Sequence, residues 1–285
     1  MSIVGAIRSL YKPMQPAVKA SDENVIYTEV LPQKLLQPFI YCYWQLKDRK
    51  PLTSPYNYLV VADGCIDILF DLQDPSESYV MGFCNKFNQF PLTGTFNKIG
   101  IRFLPTMFPQ LFNIKAVELS NRLEKLQLVV PGIAKYISTH FNESLQLNDI
   151  RNLLGRYFIA LFANKNIDHD SRLYEALEII LRNSDMLKIE KDLDTGISKR
   201  QLRRIFEFYV GDTAKTFSQV VRFQKLLNAR PSSETLRKHK TFFDMGYYDQ
   251  SHFIKEFKTL YGLTPKKAFH TQQPDLHLLS NATIL

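Results

Sequence analysis

The chain has 285 residues, of which 45% are hydrophobic and 22% charged, and its formal net charge is +8 with a pI of about 9.2. This is the composition of a globular protein with enough apolar residues for buried cores, and it excludes the fibrous and the largely disordered classes. A basic balance favours an anionic partner, either nucleic acid or a membrane surface.

Most of the excess positive charge lies in the last two-fifths of the chain, where 19 Lys and Arg stand against 13 Asp and Glu from Ser171 onward. Cys42, Cys65 and Cys84 form no CxxC pair and no metal-ligand spacing with His, which is typical of a reducing cytoplasm. The N-terminal apolar stretch is too short for a signal peptide, and no run approaches the roughly 18 apolar residues of a membrane span. We therefore expect a cytoplasmic protein with no membrane partner, no metal and no cofactor.

The first hundred residues predict short strands that are rich in aromatic and β-branched residues and separated by Pro, Gly and Asp clusters. Asp63-Gly64 lies between two of these segments and predicts a tight hairpin, because Gly tolerates the positive φ of such a turn. Close spacing favours an antiparallel sandwich or half-barrel over a doubly wound sheet. The predicted strands are Val25–Val30, Phe39–Leu46, Asn57–Ala62, Cys65–Leu72, Ser78–Phe83 and Phe96–Leu104.

From about Thr106 to Asn164 the apolar spacing becomes helical. The residues that carry this period are Met107, Leu111, Leu123, Leu126, Leu153, Leu154, Phe158 and Leu161. The polar stretch Asn164–Ser171 is the candidate linker. We therefore expect an α+β chain with an N-terminal β-rich domain at 1–165, an all-α domain at 171–270 and a tail at 271–285.

The stretch "GYYDQSHFIKEFKTLYGLTP" (Gly246–Pro265) predicts an amphipathic helix. Asp249 is a good N-cap, and Gly262 followed by Pro265 is a natural stop. Apolar residues at Phe253 and Phe257 continue at Leu260 along one face. The opposite face and the first turn carry polar and basic residues, namely Gln250, Ser251, His252, Lys255 and Lys258.

About fifty residues earlier, "SKRQLRRIFEFYVG" (Ser198–Gly211) repeats the design, with Ser198 as N-cap and Gly211 as stop. Its apolar stripe is Leu202, Ile205, Phe206, Tyr209 and Val210. Its opposite face carries Arg200, Arg203, Arg204 and Glu207, with Lys199 in the first turn.

A turn glycine, Gly196 or Gly246, and a short amphipathic segment precede each of these helices. This is the logic of a helix-turn-helix unit, whose second helix enters a major groove. Arg can bridge guanine O6 and N7, Gln can pair with adenine, and Lys neutralises phosphate. Two such helices about 34 Å apart could read successive grooves on one face of a duplex. The alternative is a pair of surface helices whose charges are simply solvated.

"GYYDQSHFIKEFKTLYGLTPKKAF" closely resembles the signature of the AraC/XylS transcription factors, over about twenty positions. Ser198–Gly211 is similar to the first recognition helix of that family, and "TFSQVVRFQKLLN" (Thr216–Asn228) to the helix that links its two halves. The resemblance covers Arg172 to about Phe269. Asp192 and Phe242 stand where the family usually has Ala, and Ala214 stands where Pro is common.

The resemblance implies two helix-turn-helix units joined by a linker helix, promoter DNA as partner, and contact with RNA polymerase. It implies an activator, since most of the family are. Matched by position, base reading falls on Arg200, Arg203, Arg204, Gln250, Ser251 and Lys255. His252 and Lys258 are expected to bind phosphate or to pack, and Lys199 adds to the DNA-binding set.

The N-terminal segments "LVVADGCIDILFDL" and "IGIRFLPTMFPQLF" resemble an uncharacterised, cupin-like N-terminal domain found in some members of this family. In the family at large, such domains bind small effectors or mediate dimerisation. Asp67 and Arg102 lie opposite the apolar faces of their strands, and neither charge is cheap to bury alone. We expect the two to meet, either as a structural ion pair or as part of an effector site, with simple surface exposure as the alternative.

Enzymatic alternatives lack their residues. A cupin-like metal enzyme needs a His and Glu cluster, but no His precedes Met107. A methyl-accepting repair protein needs a fourth Cys, and no phosphate-binding Gly-rich loop or Ser, His and Asp set is recognisable. The remaining alternative is a protein-interaction module whose degenerate helix-turn-helix units no longer bind DNA.

Overall fold

The computed structural model describes residues 3–16, 24–163, 165, 170–184, 193, 195–229, 246–247 and 249–270. Eight strands form two antiparallel sheets, a six-stranded sheet in the order β1-β2-β7-β4-β5-β8 and a two-stranded sheet β3-β6. The strands are β1 Val25–Val30, β2 Ile40–Asp48, β3 Leu52–Val60, β4 Ile66–Asp71, β5 Ser78–Met81, β6 Asn88–Gly94, β7 Asn97–Phe103 and β8 Leu123–Lys125.

A 3₁₀ turn spans Lys34–Leu36, and eleven α-helices lie in the described ranges. The helices are α1 Ile3–Leu10, α2 Met107–Phe112, α3 Ala116–Leu119, α4 Leu126–Val129, α5 Pro131–His140, α6 Leu147–Phe162, α7 Ser171–Asn183, α8 Lys199–Tyr209, α9 Ala214–Ala229, α10 Gln250–Tyr261 and α11 Pro265–His270. The chain is therefore an α+β protein, with antiparallel sheets in its N-terminal half and helices in its C-terminal part. Among the described helices, none combines the length and the apolar character that crossing a membrane requires.

The large sheet packs on helices with one face only. Phe70 of β4 meets Phe141 edge-on at 5.1 Å between ring centroids, and Phe103 of β7 meets Phe158 of α6 at 5.9 Å. Because side chains alternate along a strand, the residues next to Phe70 and next to Phe103 in their strands point to the other face of the sheet. There they meet the two-stranded sheet in a second apolar cluster that includes Trp44 and Tyr58.

The main apolar core is continuous from the sheet to the C-terminal helices. It includes Ile101 and Phe103 of β7, Leu173 of α7, and Phe217 and Phe223 of α9. Helix α1 joins this core through Ile7, which is 3% exposed.

Two predicted features of the β-rich part are wrong. Asp63-Gly64 makes a turn with Gly64 at φ +71°, but it is no hairpin, because β3 pairs with β6 while β4 pairs with β5 and β7. Leu123, expected in a helix, lies in β8 and pairs with Met81. The sequence also left β6 unpredicted, because its segment NQFPLTG contains Pro and Gly.

Trp44 packs against Gly100 of β7, so closely that a Cβ added to Gly100 would fall 1.9 Å from the indole ring. Gly100→Ala should therefore destabilise the fold by about 1–3 kcal/mol, because an overpacked core must shift backbone or rotamers. Urea unfolding would measure this loss. Gly132→Ala is the matched control, since its added Cβ meets only the Tyr157 hydroxyl, at 3.9 Å. Equal stability of the two variants would contradict the close packing of Trp44 on Gly100.

Candidate nucleic-acid interface

Helix α8 begins and ends as its sequence predicts. Ser198 Oγ accepts a hydrogen bond from Gln201 N, and the Gln201 side chain in turn accepts from Ser198 N, which forms a capping box. Gly211 follows the helix with φ +108°, a conformation that favours glycine. These local signals fix the two ends of the helix, and the burial of Phe206 and Val210 on its inner side fixes its rotation about its axis.

The outer side of α8 is basic and exposed. Lys199, Arg200, Arg203 and Arg204 all face solvent. The side chain of Arg203 is 68% exposed, and its Nε donates to Glu207 Oε1 at 2.7 Å, one turn along the helix. This pair holds the guanidinium along the helix surface, and an incoming acceptor would compete with Glu207 for it.

Helix α10 is built in the same way. Asp249 Oδ1 accepts from His252 N at 2.7 Å as the N-cap, and Gly262 ends the helix with φ +92°. Phe253 and Phe257 are buried on the inner face. The residues predicted to face DNA are exposed, namely Gln250, Ser251, His252, Lys255 and Lys258.

Helix α9 joins the two units and packs on both. Phe217 of α9 meets Phe206 of α8 at 6.3 Å between ring centroids, and Phe223 of α9 meets Phe257 of α10 at 5.5 Å. The turn glycines before α8 and α10, Gly196 and Gly246, have φ of +69° and +74°. Asp192 and Phe242 lie outside the described residues.

An ion pair between α9 and α10 escaped the sequence analysis. Arg222 Nη2 donates to both carboxylate oxygens of Glu256, at 2.8 and 2.9 Å, and the guanidinium lies 4.2 Å from the centre of the Tyr247 ring. Burial alone would lower the pKa of Arg222, but Tyr247 and Glu256 outweigh it and raise that pKa. The only sign of this ion pair in the sequence is the position of Arg222 among the apolar residues of α9.

Asp67 and Arg102 meet, as expected. They lie opposite each other on β4 and β7, and Arg102 Nη2 and Nε donate to the two Asp67 oxygens at 3.0 and 3.2 Å. Arg102 is 1% exposed and also lies 3.3 Å from Asp63 and 3.9 Å from Glu29. Trp44 Nε1 donates to Asp67 at 2.9 Å. One buried guanidinium therefore faces three carboxyl groups.

This cluster lines a cavity of about 280 Å³ between the two sheets. Apolar and aromatic side chains form most of its wall, including Tyr58, Leu69, Met81 and Phe90. The charged residues in the lining are Asp63, Asp67, Glu77, Lys98 and Arg102, of which Asp63, Asp67 and Arg102 are buried. Such a combination of an apolar wall with a few converging polar groups is typical of small-molecule sites.

The described residues contain buried cysteines and two basic helix faces. No group of His, Cys, Asp and Glu within the described ranges could hold a metal ion. The cysteines are buried, and burial raises the pKa of Cys84 to about 12, which keeps that thiol protonated at neutral pH. The two basic helix faces suit phosphate and base edges instead.

Comparisons with known proteins divide the chain into two parts. Residues 28–125 match the family described as a domain of unknown function, DUF6597, and residues 194–270 match the family described as a helix-turn-helix domain. No curated protein matches the chain.

Solved structures of ToxT from Vibrio cholerae are similar over most of the chain. One is 12% identical and covers 90% of this chain and 100% of its own, with a TM-score of 0.40. Another is ToxT bound to (E)-4-(8-methylnaphthalen-1-yl)but-3-enoic acid, which is 9% identical and covers 87% of this chain and 98% of its own, also with a TM-score of 0.40.

The helix-turn-helix match covers both capped basic helices and the helix between them. The dense signature at 246–265 lies inside the matched range. The C-terminal part of this chain is therefore an AraC-type helix-turn-helix domain, the DNA-binding part of a transcriptional regulator.

Proposed function

We propose that this protein binds promoter DNA in a sequence-specific manner through α8 and α10 and activates transcription by contact with RNA polymerase. One observation carries the proposal: both helices bury their aromatic side and leave every predicted DNA-contacting residue exposed. Arg200, Arg203 and Arg204 of α8 and Gln250, Ser251 and Lys255 of α10 would read bases. The phosphate-binding residues would be Lys199, His252 and Lys258.

We propose different roles for the two parts of the chain. Residues 171–270 would bind DNA, and residues 1–165 would sense an effector or mediate dimerisation. The resemblance to AraC/XylS factors supports the activator role and the contact with polymerase. A separation of about 34 Å between the two helices on one face of a duplex also remains a prediction.

Lys255→Ala should weaken binding to the cognate promoter by roughly 1–3 kcal/mol if the lysine contacts a base. Lys266→Ala removes the same charge from the exposed surface of α11 and is the matched control. Equilibrium titration with labelled promoter and with unrelated DNA would separate the two effects. Equal affinities of both variants for the promoter would remove Lys255 from the base-reading set.

Salt dependence separates DNA binding from the alternative of a degenerate module that binds only protein. Binding through several phosphates should weaken steeply between about 50 and 200 mM salt, because the Lys and Arg side chains displace counterions that are condensed on the DNA. A protein-protein interface of ordinary polarity should change far less. A flat salt response of the native chain would favour the alternative.

The cavity between the sheets is the proposed effector site. Its volume of about 280 Å³ and its largely apolar wall suit a small, mostly apolar molecule. The polar group of that molecule would lie at Arg102, whose Nη1 is buried without a hydrogen-bond partner. Such an atom is costly to leave unpaired and would gain from an acceptor.

Leu69→Trp should fill the cavity and abolish effector binding while DNA binding stays intact. Thermal unfolding with a panel of small aromatic acids, phenols and amines would show which class raises the Tm of the native chain. We expect at least one class to do so, and expect the same compound to leave the Tm of the variant unchanged. An equal shift in both proteins would place the ligand elsewhere.

Asp67 should make the stability of the fold depend on pH. Burial, reinforced by Asp63, raises the pKa of Asp67 from 3.8 to about 6, against the opposing effect of Arg102 and Trp44. The folded chain therefore holds this proton up to about pH 6, whereas the unfolded chain releases it near pH 4. The resulting stabilisation is present at low pH and is lost as pH rises through 6.

The free energy of unfolding should fall by about 2 kcal/mol, as far as Asp67 contributes, between about pH 4.5 and 7.5. Asp67→Asn cannot titrate and should lack this component. Urea unfolding of both proteins across the range would measure the difference between the two slopes. If the native chain instead gains stability relative to Asp67→Asn as the pH rises, the pKa of Asp67 is lowered in the folded chain.

A further inference from the structure

The connection between β5 and β6, residues 82–87, contacts the C-terminal ends of both recognition helices. The last carbonyl groups of any helix lack partners within that helix. In this protein the N-terminal half supplies two of the missing partners at the end of α10 and binds the chain just beyond the end of α8. The same half leaves the first turns of α8 and α10 open to solvent.

At the end of α8, two side chains of the N-terminal half bind the chain that leaves the helix. Asn85 Nδ2 donates to Asp212 Oδ2 at 3.0 Å, and Ser120 Oγ donates to the Gly211 carbonyl at 2.6 Å. A Cβ added to Gly211 would fall 2.5 Å from Ser120 Oγ and 3.1 Å from Phe83 Cβ. The contact is therefore close-packed as well as hydrogen-bonded.

At the end of α10, backbone amides of the N-terminal half bind the last carbonyls. Phe87 N donates to the Thr259 carbonyl at 3.0 Å, and Ala62 N donates to the Leu260 carbonyl at 3.0 Å. The Phe87 ring would lie 2.9 Å from a Cβ added to Gly262. The same six-residue connection thus holds the ends of both helices.

The connection is itself anchored. Asn121 N donates to the Phe83 carbonyl at 2.8 Å, and Asn85 N donates to Asn121 Oδ1 at 3.1 Å. Ser120 lies beside Asn121, so the segments that contact α8 are tied to each other. The connection is therefore held in place on the N-terminal half.

We propose that residues 82–87, together with Ser120, form a brace that fixes the distance and angle between the two recognition helices. The brace would make the N-terminal half a determinant of the spacing between the two DNA half-sites. Helix α9 is one connection between α8 and α10, and the brace is a second connection between them. This role rests on the DNA binding proposed above, and Asn85 and Ser120 are its positioning residues.

Asn85→Ala combined with Ser120→Ala should loosen the link to α8 while retaining the residues that face DNA. The control is Gln89→Ala combined with Ser138→Ala, which alters an exposed amide and an exposed hydroxyl elsewhere on the N-terminal half. Affinity would be measured on a series of duplexes in which the spacing between half-sites changes by single base pairs. Each added base pair rotates one half-site by about a tenth of a turn.

The native chain and the control should prefer one spacing sharply. In the brace variant the ratio between the best and the neighbouring spacing should fall by about fivefold, the size of coupling that a few net hydrogen bonds supply. Thermal unfolding would verify that the variant is folded. An unchanged preference in a folded variant would overturn the brace and leave α9 as the sole determinant of spacing.

A measurement without DNA keeps the two proposals separate. Spin labels at Arg200→Cys and Ser251→Cys report the distance between the outer faces of α8 and α10, and the native cysteines are at most 6% exposed. The distance distribution should be narrow in the native background and broader in the brace variant. If the native chain binds no DNA, and the distribution is still narrow in the native background and broader in the brace variant, the proposed function is refuted and the brace is retained. Identical distributions would refute the brace whatever the result with DNA.

Discussion

The two recognition helices depend on one constraint, the burial of their aromatic inner faces. Phe206 of α8 and Phe257 of α10 are fully buried, and each buried phenylalanine contributes roughly 2–3 kcal/mol. Both pack against the single helix α9. With that side fixed, the basic residues on the other side can only face solvent, and a surface complementary to nucleic acid follows from the core packing itself.

The sequence predicted the features that local signals determine. Ser198 and Asp249 as caps, and Gly211 and Gly262 as stops, place both helices within a residue of their observed ends. The alternation along β4 and along β7 placed Asp67 and Arg102 opposite the apolar faces of their own strands. These features depend on neighbours along the chain, so a single sequence contains the information.

Features that depend on distant pairings were not predicted. The turn at Asp63-Gly64 has the conformation that its residues indicate, yet the strand partners depend on the arrangement of both sheets. The Arg222–Glu256 pair joins residues 34 positions apart. The contacts of the β5–β6 connection with α8 and α10 join the two halves of the chain, and no periodicity in either half reports them.

Trp44 is the only tryptophan of the chain, and its indole lies in the wall of the cavity with its N–H on Asp67. An indole emits at a wavelength set by the polarity of its surroundings. Protonation of Asp67, or entry of an apolar ligand into the cavity, would change those surroundings directly. The fluorescence of Trp44 in the native protein thus reports on the cavity, and no dye has to be attached to detect protonation or ligand binding there.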